Sequence, residues 1–367
     1  MPLFSLGVLA VYMNKSQGLE EHSFFKQLII AGKSLDVDVY IFTPNNVDER
    51  NKKIFAYSYD LTRNQWVRKW ISYPDLFYDR TRYQSAERYR LVSQFKKRNS
   101  TLPFISAPLS NKWKLHQVLV RKPSIKPFLP PTLLYSQFND LRLELLHRGL
   151  VFLKPINGTG GRGILRIQRL TSGIYSVRGR TQSRHIIPEQ KVNMPKLRSM
   201  IIRMKPGKRF IIQQGIDLRL NTGSVHDYRL LIQKDGNGKW EVTGCVGRIG
   251  ASGSITSNLH GGGRAIPMLK LLKLWFKNEK QATHVADDIH HFSHQLVETL
   301  ESTYGRLCEL ALDIAVDHSG RIWLLEVNTK PAREIFARIG DQSTYKKAIR
   351  RPIEFAKWIY QSKVGIS

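Results

Sequence analysis

The segment 309–328, E-L-A-L-D-I-A-V-D-H-S-G-R-I-W-L-L-E-V-N, most narrows what this chain can fold into. Apolar residues alternate on both sides of His318-Ser319-Gly320-Arg321, and Ser-Gly is a turn signal, so the segment reads as a β-hairpin. With those four residues as the loop, Asp317 pairs with Ile322. Asp313 then stands opposite Glu326, and Ala311 opposite Asn328. Leu312, Ile314 and Val316 share the other face with Val327, Leu325 and Trp323. One face is apolar; the other gathers Asp313, Glu326 and Asn328. Directly opposed like charges weaken a strand pair. Two carboxylates and an amide oxygen suit a hard cation such as Mg²⁺, which keeps waters and phosphate oxygens in its shell. A one-residue slip would exchange the faces. Taken alone, the hairpin is equally compatible with acids that are merely solvated.

The chain has 367 residues, which predicts two or three domains with room for a substantial core. Its apolar content excludes a disordered polymer. Cys245 and Cys308 have no metal-type spacing and read as structural thiols in a reducing compartment. The apolar stretch 4–12 is expected to be a buried strand, since no basic leader or cleavage site accompanies it. No apolar run is long enough for membrane insertion.

Charge is the unusual quantity: 58 Lys+Arg against 29 Asp+Glu leave +29. Residues 160–209 alone carry 13 Lys or Arg and one acid, Glu189. Such one-sidedness favours an acidic partner, whether a polyanionic substrate, nucleic acid or an acidic protein surface.

Residues 1–108 read as a small α/β unit: strand 4–12, helix 20–35, strand 37–42, a hairpin over 54–70 and a basic helix over 86–98. The stretch 73–83, with Asp75, Asp79, Arg80 and Arg82 among aromatics, reads as a solvated loop or the lining of a substrate cleft. Beyond residue 108 the pattern predicts a helix over 111–120, strand 132–135, helix 139–147 and strand 150–155. The last ends in Lys154-Pro155 and runs into Asn157-Gly-Thr-Gly-Gly-Arg-Gly163.

That loop contains G-x-G-x-x-G, yet it is no dinucleotide fingerprint. The fingerprint needs a following helix and an acid about 20 residues on; here 164–170 reads as a strand and the next acid is Glu189. Strand, glycine loop, strand instead describes a flap whose backbone N–H groups can close over phosphates; a plain glycine-rich turn has the same sequence. The segment 210–217 is an apolar strand relaxing into polar residues, where backbone at 214–216 could read an adenine edge and Asp217 a ribose. A hairpin over 227–248, a second glycine-rich loop at 257–264, a helix over 284–304 and a final helix over 344–361 complete the chain.

In this order the pieces resemble the ATP-grasp superfamily over about 111–331. Five motifs carry the likeness: Asp227-Tyr228-Arg229, then Arg248, then S-N-L-H-G-G-G at 257–263, then Leu312-Asp313-Ile314, then E-V-N-T-K-P at 326–331. The S-N-L-H-G-G loop is similar to that of ligases adding glutamate to a ribosomal-protein tail. Length, basicity and layout look more like the spore-coat-associated YheC/YheD-type proteins. The resemblance implies an α+β ATP-grasp fold: an N-terminal α/β domain (1–108), then two subdomains clasping a nucleotide, one with lysines and flap (109–212), one binding metal (213–367).

It also implies roles. Lys112 or Lys114, and Lys154, would contact the nucleotide. Gly158, Thr159, Gly160, Gly161 and Gly163 would cover its phosphates. Gln213, Gln214 and Ile216 would border adenine, with Asp217 near the ribose. Asp313, Glu326 and Asn328 would hold Mg²⁺. Arg229 and Arg248 would face the transferring phosphate, with Asn258, Arg264 and Lys330 completing the catalytic set. There are departures: Ile255-Thr256 replace an arginine that usually precedes S-N, Gln213-Gln214 replace the acid-aromatic hinge, and Ala332 replaces a glycine.

The implied activity is an ATP- and Mg²⁺-dependent ligase forming C–N bonds through an acyl-phosphate on an acidic peptide or polymer, in mother-cell cytoplasm or spore coat, with coat proteins as partners. The competing reading is an ATP-binding structural coat component without turnover. Nucleic acid is not expected as a partner, since no recognised module or interleaved stacking aromatics accompany the basic segment.

Overall fold

The structure is a computed structural model that describes residues 2–12, 18–82, 85–158, 161–171, 173–183, 185–204, 209–251, 253–257, 259 and 262–364. Three sheets follow one another along the chain. The first contains β1 (Phe4–Leu9), β2 (Val37–Phe42), β3 (Val47–Asp48), β4 (Lys53–Asp60), β5 (Gln65–Ser72) and β6 (Leu76–Asp79). β1 lies parallel to both β2 and β6, and the β4–β5 hairpin extends one edge antiparallel. The stretch 73–83 is therefore not a solvated loop: it supplies β6, whose Leu76, Phe77 and Tyr78 are buried, and Arg80 behind it is only 2% exposed.

The second sheet comprises β7 (Thr132–Leu134), β8 (Leu150–Pro155), β9 (Leu165–Thr171), β10 (Ile174–Arg180), β11 (Ile186–Asn193) and β12 (Phe210–Gln214), in the order β11-β10-β9-β8-β12-β7. Its apolar face carries Val151, Leu153, Ile167, Tyr175 and Val177, and packs on the helices Phe138–Arg148 and Met194–Met204 through Leu141, Leu145, Leu197 and Ile201. The strict alternation of β8 and β9 leaves Lys154, Phe152 and Arg166 on the opposite face.

The third sheet comprises β13 (His226–Lys234), β14 (Trp240–Ile249), β15 (Arg264–Pro267), β16 (Glu309–Val316) and β17 (Ile322–Asn328), in the order β15-β14-β13-β16-β17. Tyr228, Leu230, Leu312 and Ile314 form its apolar face and meet the helix Glu279–Tyr304. That helix starts because Asn278 accepts a hydrogen bond from Gln281 N at 3.1 Å. Ala282, Val285, Ile289, Phe292, Leu296 and Leu300 recur on its buried side. Each fully buried Leu, Ile or Phe contributes roughly 1.5–3 kcal/mol, which fixes which way the sheet's polar face must point.

The hairpin register differs from the expected one. Asp317 N donates to Arg321 O at 3.1 Å, so the loop is the three residues 318–320, closed by Gly320 at φ 92°. The Asp317 carboxylate explains the tightening: its Oδ1 accepts from Ser319 N at 3.0 Å and Arg321 N at 3.1 Å. A bulge at Leu325 absorbs the one-residue difference, so Ile314 faces Leu324 and Val316 faces Ile322. Beyond the bulge Asp313 faces Glu326 and Ala311 faces Asn328.

The final helix, Gln342–Val364, returns to the first sheet, where Ile349, Ile353, Phe355 and Ile359 join the core around β1 and the helix His22–Lys33. Leu115 and Leu119 of the helix Lys112–Leu119 join the core of the third sheet. Among the described residues no helix is long and apolar enough to cross a membrane.

Candidate functional site

Strand pairing alone gathers most of the site. Arg229 on β13 stands opposite Asp313 on β16, which stands opposite Glu326 on β17. Asp227, two residues from Arg229, stands opposite Arg248 on β14. All five, with Asn328, lie on the face turned away from the helix Glu279–Tyr304.

The charges interlock. Arg248 donates to Asp227 through Nε at 2.7 Å and Nη2 at 2.5 Å, a bidentate pair. Arg248 Nη2 also lies 3.2 Å from Asp313 Oδ2. Arg229 Nη2 donates to Asp313 Oδ2 at 3.0 Å. Arg229 Nε is 2.5 Å from Asp313 Oδ1, an ion pair in close contact. Burial pushes the Asp313 carboxyl up, and the guanidinium charges of Arg229 and Arg248 outweigh it, holding it below the usual carboxylate range.

Two lysines arrive from other elements. Asn111 caps the helix Lys112–Leu119 by accepting from Lys114 N at 3.0 Å. This sets Lys112 in the first turn, with Nζ 3.3 Å from Glu326 Oε1. Lys154 ends β8, and its Nζ donates to Gln213 Oε1 on β12 at 2.5 Å. Gln213 is fixed in turn by donating from Nε2 to Thr132 Oγ1 at 3.2 Å. Burial, and then Lys112, bring the Lys154 ammonium down to about 8 against the upward pull of Glu326, Asp313 and Asp227. Lys154 of the second sheet therefore lies within electrostatic reach of Asp313, Glu326 and Asp227 of the third.

Four cations, Lys112, Lys154, Arg229 and Arg248, thus meet three anions, Asp227, Asp313 and Glu326, leaving one positive charge in excess. An anionic ligand would balance it. Asn328 Nδ2 is buried without a hydrogen-bond partner, so the site has unused polar capacity there, whereas Asp313 Oδ1 is ion-paired with Arg229. Among the described residues no three His, Cys, Asp or Glu side chains form a closed metal cage. Asp313, Glu326 and Asn328 fit a Mg²⁺ ion only as two carboxylates and an amide oxygen, with water and phosphate oxygens completing the shell. Lys112, Lys154 and Gln213 could hold the nucleotide.

Other expected residues fall elsewhere. Lys114 is exposed to solvent. Gln214 N donates to Pro131 O at 2.9 Å and its side chain accepts from Arg148 Nη1 at 3.0 Å; Gly215 N donates to Leu150 O at 2.9 Å, and Ile216 follows past the end of β12. Asp217 is half-exposed and paired with Arg219 at 2.7 Å. Arg264 pairs with Ile249, one register step from Arg248, and so takes the opposite face of β15. Lys330 lies against the first sheet: its Nζ donates to Asp79 Oδ1 at 2.8 Å and to Thr81 O at 2.6 Å. Gly161 and Gly163 take φ of 75° and 65°, the left-handed region that favours glycine. A Cβ on Gly163 would fall 2.3 Å from Gln182 Nε2. Gly158 N donates to Pro155 O at 3.3 Å, at the loop's start. Thr159, Gly160 and Asn258 lie outside the described residues.

Sequence reasoning missed Asp227 as a site residue, although it opens the D-Y-R motif two positions before Arg229. Asp79, named from the sequence only within the stretch 73–83, is buried, which raises its carboxyl, but Lys330 and Lys96 hold it well below the usual range. A cavity of about 470 Å³ bordered by Cys245, Met268, Leu269 and His290 contains none of these residues.

Residues 101–359 match the family model described as YheC/D like ATP-grasp. The chain is 26% identical over 348 residues to the endospore coat-associated protein YheD of Bacillus subtilis (strain 168), covering 93% of this chain and 75% of that protein. It is 24% identical over 336 residues to the endospore coat-associated protein YheC of the same organism, covering 89% of each. Among solved structures, D-alanyl-alanine synthetase A from Vibrio cholerae superposes over 100% of this chain and 99% of its own, with a TM-score of 0.54 at 12% identity, a likeness of fold. With the family model spanning well over half its length, the chain belongs to the YheC/D-like ATP-grasp family.

Proposed function

We propose that this protein is an ATP- and Mg²⁺-dependent carboxylate–amine ligase acting on an acidic peptide or polymer during spore formation, in the mother-cell cytoplasm or the coat. The observation that carries the reading is the interlocked charge cluster on the third sheet's polar face, where Arg229 and Arg248 flank Asp313 and Lys112 reaches Glu326 at 3.3 Å, with Lys154 of the second sheet in electrostatic reach. When bound, Mg²⁺ would supply charge neutralisation on the phosphate oxygens.

The chain's own residues account for the remaining work. Lys154, fixed by Gln213, and Lys112 bind and orient the phosphate tail. Arg248, locked by Asp227, and Arg229 present guanidinium N–H groups where negative charge develops on the transferring group. The substrate carboxylate oxygen attacks the γ-phosphorus and ADP leaves. The amine nitrogen then attacks the acyl carbon, phosphate leaves and the amine gives up a proton. No side-chain nucleophile is required.

The competing reading, nucleotide binding without turnover, draws on Ile255-Thr256 and Ala332, where the ligase pattern has arginine and glycine. The purified chain with ATP, Mg²⁺, a glutamate-rich peptide and mixed amino acids should release ADP and phosphate and increase the peptide's mass. Asp313→Ala and Glu326→Ala should each abolish this. Turnover surviving in both variants would end the metal assignment, and ADP-free binding of ATP would favour the structural reading.

A further inference from the structure

The polar face of the second sheet carries more than Lys154. Strand pairing lines up Gln213, Phe152, Arg166 and Arg178 in one row across β12, β8, β9 and β10. Arg166 and Arg178 are directly opposed, an arrangement that weakens a strand pair unless something negative lies between them. Arg180, two residues along β10, takes the same face. Arg166 and Arg180 are only 5% and 7% exposed.

Little inside the protein neutralises this row. Arg166 makes one hydrogen bond, from Nη2 to the neutral Gln168 Oε1 at 2.9 Å. Among the described residues no hydrogen bond or ion pair engages the side chain of Arg178 or Arg180, and Arg178 Nε is buried without a partner. Arg162, in the glycine loop, also has a buried Nε without a partner. The acids whose charge reaches the row are Asp217, already held by Arg219, which acts on Arg166, and Glu189, exposed and hydrogen-bonded to Ser176, which acts on both Arg178 and Arg166. Burial, Arg178 and Arg219 together push the Arg166 guanidinium down to about 10. Buried guanidiniums without partners cost stability unless an anion joins them.

Arg166 and Arg178 stand on the other side of β8 from Gln213, the member of the row assigned above to the nucleotide. Arg166 lies one strand out from Phe152 and Arg178 two, about 5 and 10 Å by strand spacing. The row holds one aromatic, Phe152, whose ring already sits 5.1 Å from Lys154 Nζ, so it offers no stacking platform for successive bases. Paired planar guanidiniums match carboxylates in a two-pronged geometry. We propose that Arg166 and Arg178, flanked by Arg180, form a carboxylate-binding subsite that holds an acidic peptide beside the nucleotide. It rests on the reading given under the proposed function and names the residues that would recognise the acidic substrate there.

The test is equilibrium binding of fluorescent hexaglutamate to the full chain, with and without a non-hydrolysable ATP analogue and Mg²⁺. Wild type should bind, more weakly as salt rises. Arg178→Gln should weaken the peptide about tenfold or more, the loss of one charge-assisted pair, and leave nucleotide affinity unchanged. Its melting temperature should stay level or rise, because the opposed charge is gone; this separates lost recognition from lost folding. Arg166→Gln combined with Arg178→Gln should remove detectable binding. The proposal is overturned if wild type fails to bind hexaglutamate, or if Arg178→Gln binds it equally well. It is also overturned if peptide and nucleotide affinity fall together, or if single-stranded DNA displaces the peptide and binds more tightly. Binding is read without turnover. A chain that binds hexaglutamate through these arginines but releases no ADP keeps the subsite and loses the ligase reading. One that turns over another acceptor without binding hexaglutamate does the reverse.

Discussion

Lys154 gives the proposed nucleotide site a pH dependence whose sign and size follow from its surroundings. Its ammonium is buried, held to Gln213, and brought down to about 8, chiefly by burial and then by Lys112. At pH 7 about nine-tenths of the free protein carries the charge; at pH 9 about one-tenth does. A phosphate oxygen in contact favours the charged form and raises that pKa. Between pH 8 and about 10 binding therefore takes up a proton, and affinity for an ATP analogue should fall roughly tenfold per pH unit. Titration calorimetry from pH 7 to 9.5, in two buffers of different ionisation heat, reads both the affinity and the proton. Without ligand the same shift acts on folding. The unfolded chain binds more protons between about 8 and 10.4, so stability of the free protein should rise with pH over that window. Lys330 is also brought down to about 8, but it is held by Asp79 and Thr81 at the first sheet. Lys154→Gln should thus abolish the slope of affinity with pH. A wild-type affinity that is flat from pH 7 to 9.5, with a buffer-independent enthalpy, would refute the reasoning; a slope surviving in Lys154→Gln would assign it to another group.

Glu309 is 3% exposed and accepts from Tyr78 and from Gln233 Nε2, while pairing with Arg80 at 3.2 Å and with Arg333. Glu309→Gln strands the buried Arg333, while Arg80 keeps Glu21 at 2.9 Å, and should cost about 3–5 kcal/mol in urea unfolding; a loss below about 1 kcal/mol would contradict a network tying the first sheet to the third. Asp313→Asn strands Arg229, while Arg248 keeps Asp227. Because the Arg229 side chain is 18% exposed and can reach water, the loss should be about 1–3 kcal/mol, and adding Arg229→Gln should restore part of it. Additive losses in the double variant would show that the two residues are not coupled.

The shared face of Asp313, Glu326 and Asn328 was legible because β16 alternates strictly and the bulge in β17 restores, beyond it, the pairing of Asp313 with Glu326 and Ala311 with Asn328. The loop length was not legible, since it depends on the Asp317 carboxylate closing the turn and on a bulge at Leu325 that no period-two pattern marks. Arg264 illustrates a related limit. It sits beside the glycine-rich loop in sequence, but the residue count through that loop decides which face of β15 it takes. β6 was hidden because four residues are too short to show a period, and the charges beside it looked solvated when they are buried. The β10–β11 hairpin escaped because its polar face, arginines included, breaks up the apolar signal. That Lys112 rather than Lys114 meets Glu326 follows from the cap at Asn111, which the sequence does show.

A crystal structure of the chain with a non-hydrolysable ATP analogue and Mn²⁺, the ion located by its anomalous scattering, tests the central claim most directly. The account predicts the ion on Asp313 and Glu326, with the phosphate tail between it and Lys154. An ion or phosphate tail bound elsewhere, with Asp313 still enclosed by Arg229 and Arg248, would contradict it.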